Sequence, residues 1–223
     1  MKTDYAGKVF KRRLFMSFFG VMLSGVSVGI FKSASFGVDP FGSVVFGLDS
    51  LIPIEYGLVY ILINAVLILF SLVFDRKNIG VATFINLFLV GYVTQFSYGL
   101  VQRLCPEPGL FERVLLFVFG FVLACFAASL YMTAALGVST YDAVAITLSG
   151  KYHLGQFRFI RILTDLCCVL SGSVMYCIGA GPSALSEIIG AGTVIIALGM
   201  GPLIDVFNRR VSQPFLDAAD GKI

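Results

Sequence analysis

The sequence predicts an all-α fold, a polytopic bundle of membrane helices built from two tandem repeats of four apolar elements each. The second element of each repeat is short, and a re-entrant segment is compatible with its length. Of the 223 residues, 58% are hydrophobic and only 13% are charged, and the mean hydropathy is +0.93. Soluble domains are far less apolar than this. Several apolar runs approach the roughly 20 residues that cross a hydrocarbon core about 30 Å thick.

The repeat is an ungapped match that covers the first spanning run and the turn after it. The stretch FFGVMLSGVSVGIFKSASFGVDPFGSV, from Phe18, returns as VFGFVLACFAASLYMTAALGVSTYDAV, from Val118. A second block, IGVATFINLFLVG from Ile79, returns as IGAGTVIIALGMG from Ile189. We expect structural roles, in tight turns or close helix contacts, for Gly37, Gly137, Gly80, Gly190 and Pro40. Duplicated halves are how many membrane carriers build a central site.

The first half contains four apolar elements. Residues 14–31 form a continuous uncharged run, which predicts a spanning helix. After the SASFGVDPFG turn, the run over 41–54 is interrupted by Asp49 and Pro53, and it is too short to cross comfortably. Residues 57–74 and 79–101 are each long enough to span, with the polar turn DRKN between them.

The second half follows the same order. A long run over 114–136 precedes a short run over 141–148, and runs over 159–178 and 185–206 complete the half. The CPEPG segment separates the halves, because its two prolines stop a helix. The predicted organisation is a cytoplasmic N-terminal segment 1–13, membrane repeat 14–104, linker 105–112, membrane repeat 113–207 and cytoplasmic tail 208–223.

Basic residues flank both ends of the membrane region. They are Lys2, Lys8, Lys11, Arg12 and Arg13 before the first span, and Arg209 and Arg210 after the last. Cytoplasmic loops carry an excess of lysine and arginine, so we expect both termini in the cytoplasm and the protein in the cell membrane, inner or plasma. The same placement at helix ends is typical of topology determinants, and no nucleic-acid partner is expected.

The number of crossings in each half is left open by the loops. Four crossings place Arg103 and Arg113 inside and Arg76 and Lys77 outside, whereas three crossings exchange the two pairs. We favour four crossings, and therefore a parallel repeat. The reason is that Arg13 and Arg113 occupy equivalent positions and then share the cytoplasmic face.

Asn64 and Asp165 are the strongest candidates for a substrate path. Each interrupts the middle of an apolar span, and the two fall at nearly matching positions of the repeats. Polar groups at this depth are costly in a bilayer, and they face the interior of a bundle. The alternative is an interhelical hydrogen bond that holds the helices together. Arg161, four residues before Asp165, is placed to pair with it along one helix face.

Four further residues are candidates for the path. Asp39 and Asp142 lie at the turns that open the short elements, where a side-chain oxygen caps a helix or faces a ligand. Thr83 and Thr193 lie in the matched glycine-rich blocks, where hydroxyl groups bond across close helix contacts. Helix capping and packing are the competing interpretations for all four.

The sequence contains little that supports an enzyme or a metal-binding protein. Tyr141 and Asp142 form the YD dipeptide of intramembrane aspartyl proteases, but no GxGD motif follows, and Walker A and HExxH motifs are missing. The five cysteines show no CxxC spacing and resemble buried small hydrophobes. His153, the single histidine, lies in a polar connection. We therefore expect a protein that is not an enzyme and that has no cofactor and no metal.

The GVDPF turn, the glycine-rich span and the IGVATF block resemble those of the YczE-like (YczE/YitT-type) uncharacterised bacterial integral membrane proteins. The resemblance covers nearly the whole chain. It implies a bacterial cell membrane location and a duplicated helical fold, without a substrate or catalytic residues. Because only a short polar tail follows Arg210, we expect the shorter YczE-like type and not the YitT type with its soluble C-terminal domain.

These observations predict a small secondary transporter or permease-like protein of unknown substrate. The alternative is a non-transporting membrane scaffold or accessory protein whose polar residues only pack helices and whose tail contacts a partner. The expected partners are the lipid bilayer and an unknown small solute or ion, and a homo-oligomer or a membrane partner is compatible with both interpretations.

Overall fold

The computed structural model describes residues 2–155 and 157–218, and every regular element in these residues is helical. The helices are α1 (Lys2–Ala34), α2 (Pro40–Asp49), α3 (Tyr56–Phe74), α4 (Val81–Leu104), α5 (Leu110–Ala134), α6 (Thr140–Ile146), α7 (Phe157–Gly179), α8 (Ala191–Phe207) and α9 (Gln213–Asp217). Short 3₁₀ turns precede α4 and α8, and wider π turns follow α6 and α8. The predicted all-helical class is confirmed.

Six segments are long and apolar enough to cross a membrane. They are Val9–Ala34, Tyr56–Phe74, Val81–Leu104, Leu110–Ala134, Phe159–Gly179 and Pro182–Asp217. Helices α2 and α6 have 10 and 7 residues. At about 1.5 Å per residue they are too short to cross a core of about 30 Å. Only three helices in each half are therefore long enough to cross, which disagrees with the expectation of four crossings in each half.

Helices α1 and α5 cross the centre of the bundle side by side and run in opposite directions. Gly20, in the middle of α1, approaches Tyr131 near the end of α5. At the other end, the Arg113 guanidinium donates to the carbonyl of Ala34, with Nε and oxygen 2.8 Å apart. The expected parallel repeat is thus wrong, because these two matched helices run in opposite directions.

The beginning of α1 and the described end of the chain, at α9, lie at one face of the bundle, which we call the terminal face. The Arg12 guanidinium lies 3.9 Å from the centroid of the Phe215 ring, and Leu216 packs with Met16 and Ala134. The described part of the predicted tail thus folds back on its own bundle, and residues 219–223 lie outside the described residues. We call the other side, where α1 ends and α5 begins, the opposite face.

Helix α2 enters the bundle and returns to the face from which it came. Helix α1 has already reached the opposite face at Ala34, and α2 then runs outward beside the second half of α7. Ser43 contacts the Cys168 carbonyl (3.2 Å), and Ser50 lies against Gly179 at the end of α7. Residues 35–50 are therefore re-entrant with respect to the bundle, since they enter and leave it at one face.

Helix α6 repeats this path at the terminal face. It begins beside the middle of α3, where Thr140 contacts Asn64, and it runs outward to the end of α3. There Lys151 donates to the Phe74 carbonyl. Residues 135–151 are therefore also re-entrant, but they enter from the face opposite to that of the first segment.

The turn after α1 is held by the other half of the chain. Gly37 adopts a φ of +106°, a conformation that side chains with a β-carbon rarely adopt. The Val38 amide donates to the Ile188 carbonyl (2.9 Å), and the Gly192 amide donates to the Phe36 carbonyl (2.7 Å). The start of α8 is thus fastened to the first re-entrant turn.

The turn after α5 makes the corresponding contacts with the first half. Gly137 has a φ of +116°. The Val138 amide donates to the Asn78 carbonyl (3.1 Å), and the Ala82 amide donates to the Leu136 carbonyl (3.0 Å). Each re-entrant turn therefore docks on the first residues of the last spanning helix of the other half.

Candidate functional site

The two short helices meet head to head inside the bundle. The rings of Phe41 and Tyr141, each the second residue of its helix, are stacked with centroids 5.1 Å apart and an interplanar angle of 21°. Free amide groups and the positive end of the helix dipole lie at a helix N-terminus. Two such ends therefore converge within the bundle.

Asp39 caps the first of these helices. Its Oδ2 atom accepts a hydrogen bond from the Gly42 amide at 3.0 Å, and Pro40 fills the first helical position, where no amide hydrogen is needed. The other oxygen, Oδ1, is buried and has no hydrogen-bond partner within residues 2–155 and 157–218. The predicted cap is thus present, and it leaves one acceptor free.

Helix α6 is capped by Ser139 rather than by Asp142. The Ser139 hydroxyl oxygen accepts from the Asp142 amide (3.1 Å) and donates to the Asp142 Oδ2 atom (2.7 Å). The expectation that Asp142 caps the helix is therefore wrong. A first-turn position leaves its carboxylate free to reach across to α7.

Arg161 lies between two carboxylates. Its guanidinium pairs with Asp142 on α6 and with Asp165 one turn further along α7, with Nε and Oδ1 3.3 Å apart in the second pair. The Tyr141 hydroxyl donates to Asp165 Oδ1 at 2.6 Å, and the guanidinium lies over the Tyr141 ring. The predicted Arg161–Asp165 pair is present, and all three charged side chains remain between 24% and 33% exposed.

Asn64 lies beside the start of α6, on the neighbouring helix α3, and is only 1% exposed. It accepts a hydrogen bond from the Thr140 hydroxyl and donates to the Tyr60 carbonyl at 2.8 Å. The Tyr60 hydroxyl then donates to the Asn86 side chain at 2.9 Å. Asn64 and Asp165 are therefore linked through neighbouring residues at the start of α6, not by direct contact.

We call this group of polar residues at the start of the short helices the central cluster. It comprises Asp39, Tyr60, Asn64, Asn86, Ser139, Thr140, Tyr141, Asp142, Arg161 and Asp165. The structure thus brings together Asn64, Asp165, Asp39 and Asp142.

Thr83 and Thr193 lie outside the central cluster, at the two junctions where a turn meets a spanning helix. Thr83 donates to the Val138 carbonyl at 2.7 Å, whereas Thr193 donates to the Ile188 carbonyl at 3.3 Å. Each hydroxyl also accepts from the amide of the glycine three residues earlier. Their contacts are those of caps and interhelical bonds, in keeping with the packing interpretation.

Tyr60 and Thr140 were not evident from sequence. Tyrosine within an apolar run is typical of a core residue, although Tyr60 precedes Asn64 by one helical turn and so shares its face.

Asp49 lies outside the six spans. The pKa of its carboxyl group is raised above the usual value, because partial burial outweighs the opposing effect of the nearby Lys32 charge. In the part of the chain that the structure describes, no three His, Cys, Asp or Glu side chains form a metal-binding group.

Comparison with known proteins places the chain in a family. Residues 11–209 match the model of a family of unknown function, DUF6198. The chain belongs to DUF6198. No solved structure matches it.

Two curated relatives of this DUF6198 protein are bacterial and uncharacterised. A Haemophilus influenzae protein is 22% identical over 139 residues, which cover 62% of this chain and 57% of the relative. The uncharacterised protein YyaS of Bacillus subtilis is 21% identical over 204 residues, which cover 88% of this chain and 92% of the relative. The chain thus spans little more than half of the first relative and nearly all of the second. The expected resemblance to YczE/YitT-type proteins is compatible with these matches.

Proposed function

We propose that this DUF6198 protein is a small secondary transporter or permease-like protein with a polar path through the central cluster. The observation that carries the proposal is the meeting of the two short helices beside the free Oδ1 atom of Asp39. Interrupted helices whose ends meet near the bilayer midplane are typical of substrate sites in secondary transporters. A buried acceptor without a partner is costly unless water or a solute satisfies it.

We further propose that the two halves are inverted-topology repeats. The docking of Val38 on Ile188 corresponds to that of Val138 on Asn78, and Gly37 corresponds to Gly137 in both position and φ. Three crossings in each half relate them by an axis in the membrane plane. Rocking of one such half against the other is a known basis of alternating access.

The distribution of basic residues supports cytoplasmic termini in a cell membrane. The terminal face carries Lys11, Arg12, Arg13, Arg76, Lys77, Lys151, Arg209 and Arg210, whereas the opposite face carries Lys32, Arg103 and Arg113. Six spans support this orientation, because Arg76 and Lys77 then lie at the same face as the termini. The positive-inside rule assigns the terminal face to the cytoplasm.

Two adjacent native cysteines give a direct test of a water-filled path. Cys168 lies beside the central cluster and is partly buried, whereas Cys167 points outward and is exposed on the apolar surface of the bundle. We would keep one of the two in a variant otherwise free of cysteine and label membrane vesicles with a charged, membrane-impermeant thiol reagent. A path predicts labelling of Cys168 and protection of Cys167, whose thiol faces lipid.

The same measurement separates the transporter from the membrane scaffold. Protection of Cys168 from both sides would contradict the path and favour a scaffold or accessory protein. Labelling of both cysteines at equal rates would also contradict it, because water would then reach the outer surface of α7 as readily as the cluster. Flux in proteoliposomes, compared between the wild type and D165N, then tests transport itself.

A further inference from the structure

A second polar site lies at the opposite face, away from the central cluster. A cavity of about 290 Å³ opens between the ends of α1, α2 and α7 and the start of α3. Its charged lining consists of Lys32, Asp49 and Glu187, and aromatic side chains, among them Tyr56 and Tyr98, form much of the rest. We call this cavity the outer chamber.

One wall of the outer chamber already holds an ammonium group. The Lys32 side chain is only 8% exposed, and its Nζ atom donates to Glu187 Oε2 at 2.9 Å and to the Tyr176 hydroxyl. The same atom lies 5.1 Å from the centroid of the Phe46 ring and 4.6 Å from that of the Tyr176 ring. The protein therefore solvates a primary ammonium ion with a carboxylate, a hydroxyl and two aromatic rings.

The chamber retains a negative charge after this pairing. Glu187 neutralises Lys32, whereas Asp49 forms no ion pair with any residue that the structure describes. The half-buried Asp49 carboxylate lies in the same lining as the rings of Tyr56 and Tyr98. A carboxylate beside aromatic rings in a concave site suits a cation and disfavours an anion.

We propose that the outer chamber binds a small organic cation, a protonated amine or a quaternary ammonium ion, with Asp49 as its counter-ion. The volume limits the ligand to a small one, since typical ligand pockets span roughly 300–1,000 Å³. That the cation is also the transported substrate rests on the proposed function. The binding itself does not, because the chamber is complete in the static structure.

Equilibrium dialysis of the purified protein in detergent tests the chamber. The probes are radiolabelled tetramethylammonium and propylammonium, with propionate as a probe of opposite charge and similar size. The wild type should bind both ammonium ions saturably, and D49N should weaken both at least tenfold. The control is E107Q, which removes an exposed carboxylate in the linker at the same face and should leave binding unchanged.

Three results would overturn the proposal. They are failure of the wild type to bind either ammonium ion, equal affinity of D49N and wild type, and tighter binding of propionate than of propylammonium. The comparison of probes needs only the wild type, so it decides the question even if D49N does not fold. If ammonium binding depends on Asp49 but the thiol reagent does not reach Cys168, only the transport path is contradicted. If the reagent reaches Cys168 but no ammonium ion binds, only the proposed cation site in the outer chamber is contradicted.

Discussion

Phe41 and Tyr141 are stacked across the middle of the bundle, although one hundred positions of sequence separate them. Each follows the first residue of a short helix that enters from a different face. The contact therefore marks the level at which the two re-entrant segments meet. The charged and amide side chains of the central cluster surround this level, which makes the cluster the natural place to perturb.

Replacement of Arg161 by glutamine should destabilise the protein by roughly 1–3 kcal/mol. The change leaves Asp142 and Asp165 close together without their shared cation. Loss of a fully buried partner costs about 3–5 kcal/mol, and partial exposure of these groups reduces that value. Thermal or denaturant unfolding in detergent measures the difference.

The matched control is R209Q. Arg209 also pairs with an aspartate four residues away on a helix, Asp205, but those side chains are 78% and 57% exposed. Such exposed pairs contribute about 0.5 kcal/mol or less. Equal effects of R161Q and R209Q would show that the Arg161 cluster is solvated like a surface pair.

Alanine at Gly137 should destabilise the protein by about 2 kcal/mol or more. The substitution forces a β-carbon into a left-handed conformation, and that carbon would lie 2.6 Å from the Gly80 amide nitrogen. Alanine at Gly99, which has open space around it within α4, should be neutral or stabilise by up to about 1 kcal/mol. If G137A unfolded at the same temperature as G99A, the docked turn would not be rigid.

Asn64 and Thr140 should show a coupling energy of about 1 kcal/mol in a double-mutant cycle of N64A and T140V. Their side chains bond directly, and interhelical bonds in membrane proteins are typically worth this amount or less. Unfolding measurements on the wild type, the two single variants and the double variant give the value. Strict additivity would show that the bond contributes nothing to stability.

The six-span topology predicts the sides from which two arginine positions can be labelled. In a variant free of other cysteines, R76C should be protected from an impermeant thiol reagent outside the cell, whereas R103C should react. Both side chains are exposed, at opposite faces of the bundle. Reaction of R76C from outside would contradict the assignment of the terminal face to the cytoplasm.

The sequence identified Asn64 and Asp165 because each interrupts an apolar run, and Asp39 and Asp142 because each lies at the turn that opens a short element. It did not single out Asn86, whose side chain also belongs to the central cluster. Lys32 and Tyr176 carried none, since a lysine near the end of a span resembles an interfacial anchor and a tyrosine in a span resembles a core residue. Their pairing depends on α1 and α7, which only the tertiary fold brings together.

The orientation of the second half relative to the first could not be predicted from the sequence either. A matched pair such as Arg13 and Arg113 has the same register whether the second copy runs with the first or against it. The decision depends on whether the ten residues of α2 cross the bilayer, and a short apolar run is equally consistent with both outcomes until its neighbours are known.

The exchange of turns between the halves has a consequence for biogenesis. Val38 cannot bond to Ile188 until residue 188 has left the ribosome, so until then the first re-entrant segment lacks this contact. Before residue 188 is synthesised, the Val38 amide lacks the Ile188 carbonyl as its hydrogen-bond acceptor. We therefore expect the incomplete chain to be more susceptible to proteolysis than the complete one. Truncated chains that end before the last span should therefore accumulate in the membrane at lower levels than the full chain and should be degraded faster by quality-control proteases.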